Sequence, residues 1–272
     1  MAASAVMGMV KRAAAVADRL RPPPRGVVIL AYHRIGGGSG LEIDVPSELF
    51  DAQMAALAAS KRVVSLDHAV DLLASDEPHS GDDPVVVTFD DGTADLAEHA
   101  LPILVRHRVP ATLYLATKFV EDQEPFPSEG RSLSWDALAD MVSTGLVTIG
   151  SHTHSHAVLS HLPTAQVEDE LDRSIELIGE RLGVVAAHFA HPKAVAASPE
   201  GEAAIRARFR SAARSGMRPN PFTATDVHQL ARSPIQTADG LRWFHRKVGG
   251  GMALEGALRE VLDRRRYAGA VS

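Results

Sequence analysis

"DPVVVTFDDGTADL", residues 83–96, decides how the chain is read. An apolar run bounded by Pro84 and Gly92 has the pattern of a strand buried on both faces. It nevertheless ends on two adjacent carboxylates, Asp90 and Asp91. Neighbouring carboxylates raise one another's pKa unless a cation intervenes, so the pair carries a standing electrostatic cost. A strand-to-helix turn capped by its aspartates is the structural alternative, since Asp-Gly is a common turn pair.

Similar runs recur outward from this one. "GVVILAYHRI" (26–35), "RVVSL" (62–66), "ATLYLA" (111–116) and "LVTIGSH" (146–152) read as strands, as do "AAHFAHP" (186–192), "RSAARS" (210–215) and "VHQLARSPI" (227–235). Helical patterns lie between them. They cover 46–60 with Ser47 as N-cap, 68–75 capped by Asp67, 94–107 after Thr93, 134–145 from Ser134 to Gly145, and 164–183 capped by Thr164. Residues 121–132 read as a long loop, and helices near 241–248 and 252–266 close the chain. Apolar strands alternating with helices predict a parallel sheet covered on both faces. Seven or eight such units without a linker predict one α/β barrel over 26–272. A helix and a proline-rich linker precede it, over 1–25.

The 272 residues are 45% hydrophobic, enough for a sizeable core, and the net charge of −6 gives no electrostatic reason to expect nucleic acid as a partner. Cysteine is absent, which excludes disulfides and thiolate metal sites. At the N-terminus, Lys11 and Arg12 interrupt the apolar residues instead of preceding them, unlike a secretory signal. Pro22, Pro23 and Pro24 then stop the helix. No apolar run reaches the about 20 residues a bilayer span needs. The expectation is a cytoplasmic protein. A basic amphipathic helix carrying Lys11, Arg12 and Arg19 could add peripheral membrane contact, the alternative being a solvated helix.

In a βα-barrel, chemistry belongs at the C-terminal strand ends. His33, the Asp90–Asp91 pair, His152 and His191 all fall there. "HTHSH" sets His152 and His156 four apart, so one helical turn would aim both rings the same way. Two imidazoles and a carboxylate form a familiar facial set for a divalent metal. A metal also accounts for the acidic pair: one aspartate would ligate it, and the other would act as base on an acidified water. The residues thus point to metal-assisted hydrolysis. A phosphate-binding loop is poorly supported, because "GGGSG" lacks the following Lys-Ser/Thr, and no Gly-x-Ser-x-Gly elbow is present for a serine triad.

These motifs resemble the polysaccharide deacetylases, the NodB-homology or carbohydrate esterase family 4 domain. "TFDDG" (88–92) is similar to the family's first motif and "HTHSH" (152–156) to its second, with the resemblance spanning roughly 26–245. It implies a distorted (β/α) barrel that removes an acetyl group from an N-acetylated sugar, in a polymer, an oligosaccharide or a lipid-linked glycan. It further implies Asp90 as general base and Asp91, His152 and His156 as ligands of one divalent ion, zinc or similar.

Two departures stand out. In "FAHPK" (189–193), Ala190 replaces the arginine that normally orients the base and Lys193 replaces a tyrosine whose backbone N–H helps hold the oxyanion. The late Leu-x-His motif is not visible. The biofilm and cell-envelope branch also has alanine at the arginine position, and there a histidine in an N-terminal "YH" serves as acid. "AYHRI" matches that, nominating His33. Arg232 is a candidate to support Asp90 from the last strand. Lys193 would give its backbone donor, and His191 and Pro192 would lie against substrate, with His191 the second choice for the acid. The low share of aromatics, 5%, favours a short or lipid-linked amino sugar over a long polymer. Two rivals stand beside this reading: a glycan-binding protein that keeps the metal but not the hydrolysis, and a hydrolase of O-acetyl esters or non-carbohydrate amides.

Overall fold

Nine strands form in the computed structural model, which describes residues 2–127 and 130–267. They are β1 (Val28–Tyr32), β2 (Arg34–Ile35), β3 (Asp44–Val45), β4 (Val85–Phe89), β5 (Ala111–Leu115), β6 (Val147–Ser151), β7 (His188–Ala190), β8 (Ser211–Ala213) and β9 (Ser233–Pro234). Seven make one sheet in the order β8-β7-β6-β5-β4-β1-β9, and every strand pair in it is parallel. The short β2 and β3 pair separately. The sheet curls until its ends meet. Leu230 exchanges hydrogen bonds with Ala212 and Arg214 at the β8 edge, while Ser233 and Pro234 pair with Leu30 and Ala31 of β1. One extended segment, 230–234, therefore closes the barrel.

Period-two alternation along the strands sorts the side chains. Val28, Leu30 and Tyr32 of β1, with Val85, Val87 and Phe89 of β4, join the core under the helices. There Tyr32, Phe50 and Phe89 lie with ring centroids 5.2–5.9 Å apart, tying both strands to the helix Ser47–Ser60. Burying each such ring contributes about 1.5–3 kcal/mol. The alternate residues face the barrel interior, where Thr88 pairs in register with Thr112 and Tyr114 with Gly150. A Cβ on Gly150 would come within 2.9 Å of the Tyr114 ring, so glycine makes room for that side chain. The same alternation carries Asp90, one step beyond Phe89, into the interior.

Several sequence expectations need correction. "RVVSL" is no strand: only Val63 bridges to β4, because Ser65 already caps the next helix by accepting the His68 N–H. Asp67, expected as that cap, lies in the first helical turn. Ser47 and Thr164 do not cap either; Pro46 and Pro163 hold those positions with extended ψ, and the two residues are the first helical ones.

The N-terminal helix, Ala2–Leu20, packs against the last helix, Ala253–Tyr267. Lys11, expected on a basic surface, points inward instead. Its ammonium pairs with Asp239 and lies 3.9 Å from Glu255, and all three groups are almost wholly buried. Lys247 joins the same carboxylate at 2.7 Å and donates to the Pro234 carbonyl of β9. A buried charge cluster of this kind fixes geometry more than it stabilises, since desolvation offsets the attraction. Here it fastens both terminal helices to the closing strand.

Candidate metal centre and active site

All the candidate residues except Arg232 follow the C-terminal ends of main-sheet strands: His33 after β1, Asp90 and Asp91 after β4, His152 and His156 after β6, and His191, Pro192 and Lys193 after β7. Arg232 arrives on the closing segment. Asp91, His152 and His156 meet, with one donor atom of each within 4.8 Å of the others. The Asp91 Oδ1 atom is 3.3 Å from His156 Nε2 and 3.7 Å from His152 Nε2. Ligands about 2.0–2.1 Å from a tetrahedral zinc ion are spaced about 3.3–3.4 Å apart, so this donor set fits such an ion with little movement. His152 donates from Nδ1 to the Ala190 carbonyl at 2.8 Å, which leaves Nε2 bare, as a ligating imidazole requires.

The route to that cluster is not the helical turn expected for "HTHSH". Residues 152–156 form an irregular loop in which Thr153 and His156 both have positive φ, 65° and 62°. Asp91 is likewise left-handed at φ 71°. Gly92 follows at φ 107°, where a Cβ would come within 2.4 Å of Leu115. Three non-glycine residues in this costly region at one site indicate a backbone held for function.

Asp90 stays apart from the three donors. Arg232 grips it with both terminal nitrogens, at 2.6 and 2.8 Å, and both side chains are buried. The guanidinium also donates to Thr88 Oγ1 and lies 5.1 Å from the Tyr114 ring centroid. Arg232 thus stands where Ala190 leaves no arginine, and the interior-facing Thr88 and Tyr114 receive it. His33 Nε2 is 3.8 Å from Asp90 Oδ2, beyond hydrogen-bond range but close in charge terms. Burial pushes the Asp90 carboxyl up, but the Arg232 charge, with His152, outweighs it and holds the group below its ordinary range. Asp91 is also held low, with burial overcome by the His156 hydrogen bond and the charges of His33 and His152. Burial pushes His152 down to about 4, so its ring is neutral near pH 7, the form that binds metal.

A cleft of about 420 Å³ opens over these groups, a volume typical of small-molecule sites. His33, Lys193, Arg214, Gln236 and Arg259 are among its walls, and no aromatic ring of Phe, Tyr or Trp is. Lys193 is exposed, with φ 54°; Ala194 N–H to His191 and Val195 N–H to Pro192 close its turn. Of the two expected substrate contacts, His191 borders the cleft but has both ring nitrogens engaged, and Pro192 is not among the cleft walls. The His191 ring is buried with Nδ1 against the Ala213 carbonyl at 3.1 Å and Nε2 against Glu202 at 3.0 Å. Pro192 is buried at the start of its turn and does not line the cleft. Sequence reasoning missed Glu202, Tyr114, Arg214 and Arg259, none of which belongs to a recognisable motif, and gave Thr88, the first residue of "TFDDG", no role of its own. His154, in the loop between the two candidate ligands, meets Thr117 Oγ1 at 3.0 Å.

A parallel barrel bears an aspartate and two histidines that could hold a metal ion, with a second aspartate braced beside them, an arrangement suited to metal-assisted hydrolysis. Comparisons with known proteins point the same way. Residues 78–210 match the model of the polysaccharide deacetylase family. YxkH of Bacillus subtilis (strain 168), named as a polysaccharide deacetylase, is 27% identical over 154 residues, 57% of this chain and 52% of YxkH. The chain therefore spans about half the length of that curated relative. Among solved structures, IcaB from Ammonifex degensii superposes with a TM-score of 0.70 at 22% identity, covering 83% of this chain and 98% of that one. The Streptococcus pyogenes deacetylase PplD, in complex with acetate, gives 0.69 at 20% identity, covering 81% and 98%. Residues 78–210 are thus similar to the polysaccharide deacetylase family, and the superposed structures extend the likeness of fold over about four fifths of the chain. His33 and Arg232 both lie outside the matched segment.

Proposed function

We propose that the protein is a metal-dependent hydrolase that removes the acetyl group from an N-acetylated amino sugar. The observation that carries this reading is the division of labour between the two aspartates. Asp91 joins His152 and His156, while Asp90 is kept out of that set by a two-pronged arginine. A divalent ion held by Asp91, His152 and His156, zinc being our choice, would polarise the acetyl carbonyl and acidify the attacking water.

The chain's own residues supply the rest. Asp90, kept ionised, takes the proton from the water as it attacks. Arg232 holds the accepting carboxylate in place and is a positioning residue. The Lys193 backbone N–H, presented by its left-handed turn, donates to the oxyanion. His33, whose Nε2 lies 3.8 Å from Asp90 Oδ2 on the cleft wall, protonates the departing amine. Acetate, held in the solved PplD complex, is the second product of such a reaction. A cleft without aromatic walls but with Lys193, Arg214 and Arg259 suits a short amino sugar better than a long stacked chain.

The test is acetate release from N-acetylated chito-oligosaccharides by the purified protein, repeated after chelation and after zinc is restored. Release that stops with chelator and returns with zinc supports the reading. Release from O-acetylated sugars alone would make the protein an esterase. Tight glycan binding with no acetate released from either would make it a binding protein.

A further inference from the structure

Ten large apolar side chains stand exposed among the described residues, and eight of them lie on three helices: Ala2–Leu20, Gly240–Val248 and Ala253–Tyr267. Single exposed apolar residues are ordinary, but a concentration of this kind marks a surface with a partner. On the first helix, Val6, Met9, Val16 and Leu20 are each at least half exposed, Leu20 to 84%. At 3.6 residues per turn these four fall within an arc of about 80°, opposite the buried Lys11 and Ala14. The helix therefore has two working faces, one docked on the protein and one apolar face turned to solvent. Leu254, Val261 and Leu262 repeat the pattern on the last helix, which packs beside the first.

The charge next to this stripe is distinctive. Arg12, Arg19, Arg242 and Arg246 line a cleft between the first helix and Gly240–Val248, together with Val16 and Trp243. Arg242 stacks on the Trp243 ring, its guanidinium 4.6 Å from the centroid. Among the described residues none of these four arginines has a carboxylate partner, whereas Arg208, for example, pairs with Asp172 and Arg259 with Glu255. The nearby Asp18 is already engaged by the Met252 N–H at 2.9 Å. A chain of net charge −6 has thus gathered four unpaired guanidinium groups beside its main exposed apolar surface.

We infer that these three helices form a docking surface for an anionic lipid bilayer. The apolar stripe would enter the headgroup–acyl boundary, the arginines would meet lipid phosphates, and Trp243 suits the interface between them. A second copy of the chain is a poorer occupant, because a two-fold contact would bring the two arginine clusters toward each other. Arg259, on the same last helix, lines the site cleft, so one helix borders both the site and the bilayer.

The test is flotation of the full chain with phosphatidylcholine vesicles, with and without phosphatidylglycerol. The protein should float only with phosphatidylglycerol, and high salt should release it. Arg12→Gln with Arg19→Gln should weaken partitioning about thirtyfold, at about fivefold per surface arginine. Val16→Gln with Leu20→Gln should weaken it as well. Both pairs should keep the wild-type melting curve and the wild-type turnover of a soluble acetylated sugar, which separates lost docking from lost fold. Three results would overturn the inference: no flotation with either vesicle, equal flotation with both, or a homodimer, seen by sedimentation velocity, that these variants dissolve while vesicles bind nothing.

Discussion

Replacing Arg232 with methionine removes the cation from a pair whose side chains are about 5% and 6% exposed, leaving Asp90 charged, buried and without its two strongest donors. Breaking a buried pair from one side costs about 3–5 kcal/mol, because the survivor cannot regain its hydration. For a domain of this size each kcal/mol lowers Tm by about 2–4 °C, so Arg232→Met should melt roughly 6–20 °C below wild type. Asp90→Asn strands the guanidinium in the same way. The double variant removes both charges, and a thermodynamic cycle over the four proteins should give a coupling of about 2–3 kcal/mol. Arg232→Lys keeps the charge but not the planar fork. It should recover part of the stability while turnover stays depressed, the signature of a residue that orients a base. Differential scanning calorimetry and initial-rate assays supply both readouts. Additive losses in the cycle, or an Arg232→Lys protein with full turnover, would refute the claim that this arginine positions Asp90.

Three further outcomes follow from the geometry. Asp90→Asn and His33→Ala should each lower turnover by about 10²–10⁴ while the zinc content of the purified protein, measured by atomic absorption, is retained. Lys193→Ala should leave turnover near wild type, because only the backbone N–H is asked to act; a large loss would assign the ammonium a role. Glu202 governs part of the acid limb of stability. Burial raises its pKa, but the His191 hydrogen bond and charge prevail and bring it from 4.5 to about 2. Its contribution is fully present above the unfolded value and is lost as pH falls from about 4.5 toward 2, an effect of about 2–4 kcal/mol. Glu202→Gln should therefore lower Tm at neutral pH and flatten its dependence across that window.

The main strands, the barrel and the pairing of His152 and His156 with one aspartate of the 90–91 pair were legible in the sequence because each rests on local pattern, whereas the choice of Asp91 came from the family resemblance. Periodicity marks strands, and short-range spacing marks motifs. Errors came where two local signals compete. Ser47 and Thr164 look like caps, but the proline before each already supplies the extended turn. "HTHSH" has helical spacing, yet positive φ at Thr153 and His156 brings the rings together through a loop. What could not be read were contacts set only by closure. Arg232 could be nominated to support Asp90, 142 residues away, only from its place on the last strand, and its two-pronged grip was not legible; nothing near His191 foretells that Glu202 will occupy its ring. Lys11 read as surface charge because its partners, Asp239 and Glu255, lie at the far end of the chain.

The closing segment 230–234 has a consequence for how the protein matures. Its pairing with β1 joins residues about two hundred apart, and such contacts form late because the intervening chain must first be ordered. The side chain that braces Asp90 rides on that segment. An incompletely zipped barrel would thus lack an oriented base, and competence for hydrolysis would arrive with the last turn of the fold. Folding intermediates would then be chemically silent, a built-in proofreading of assembly by topology.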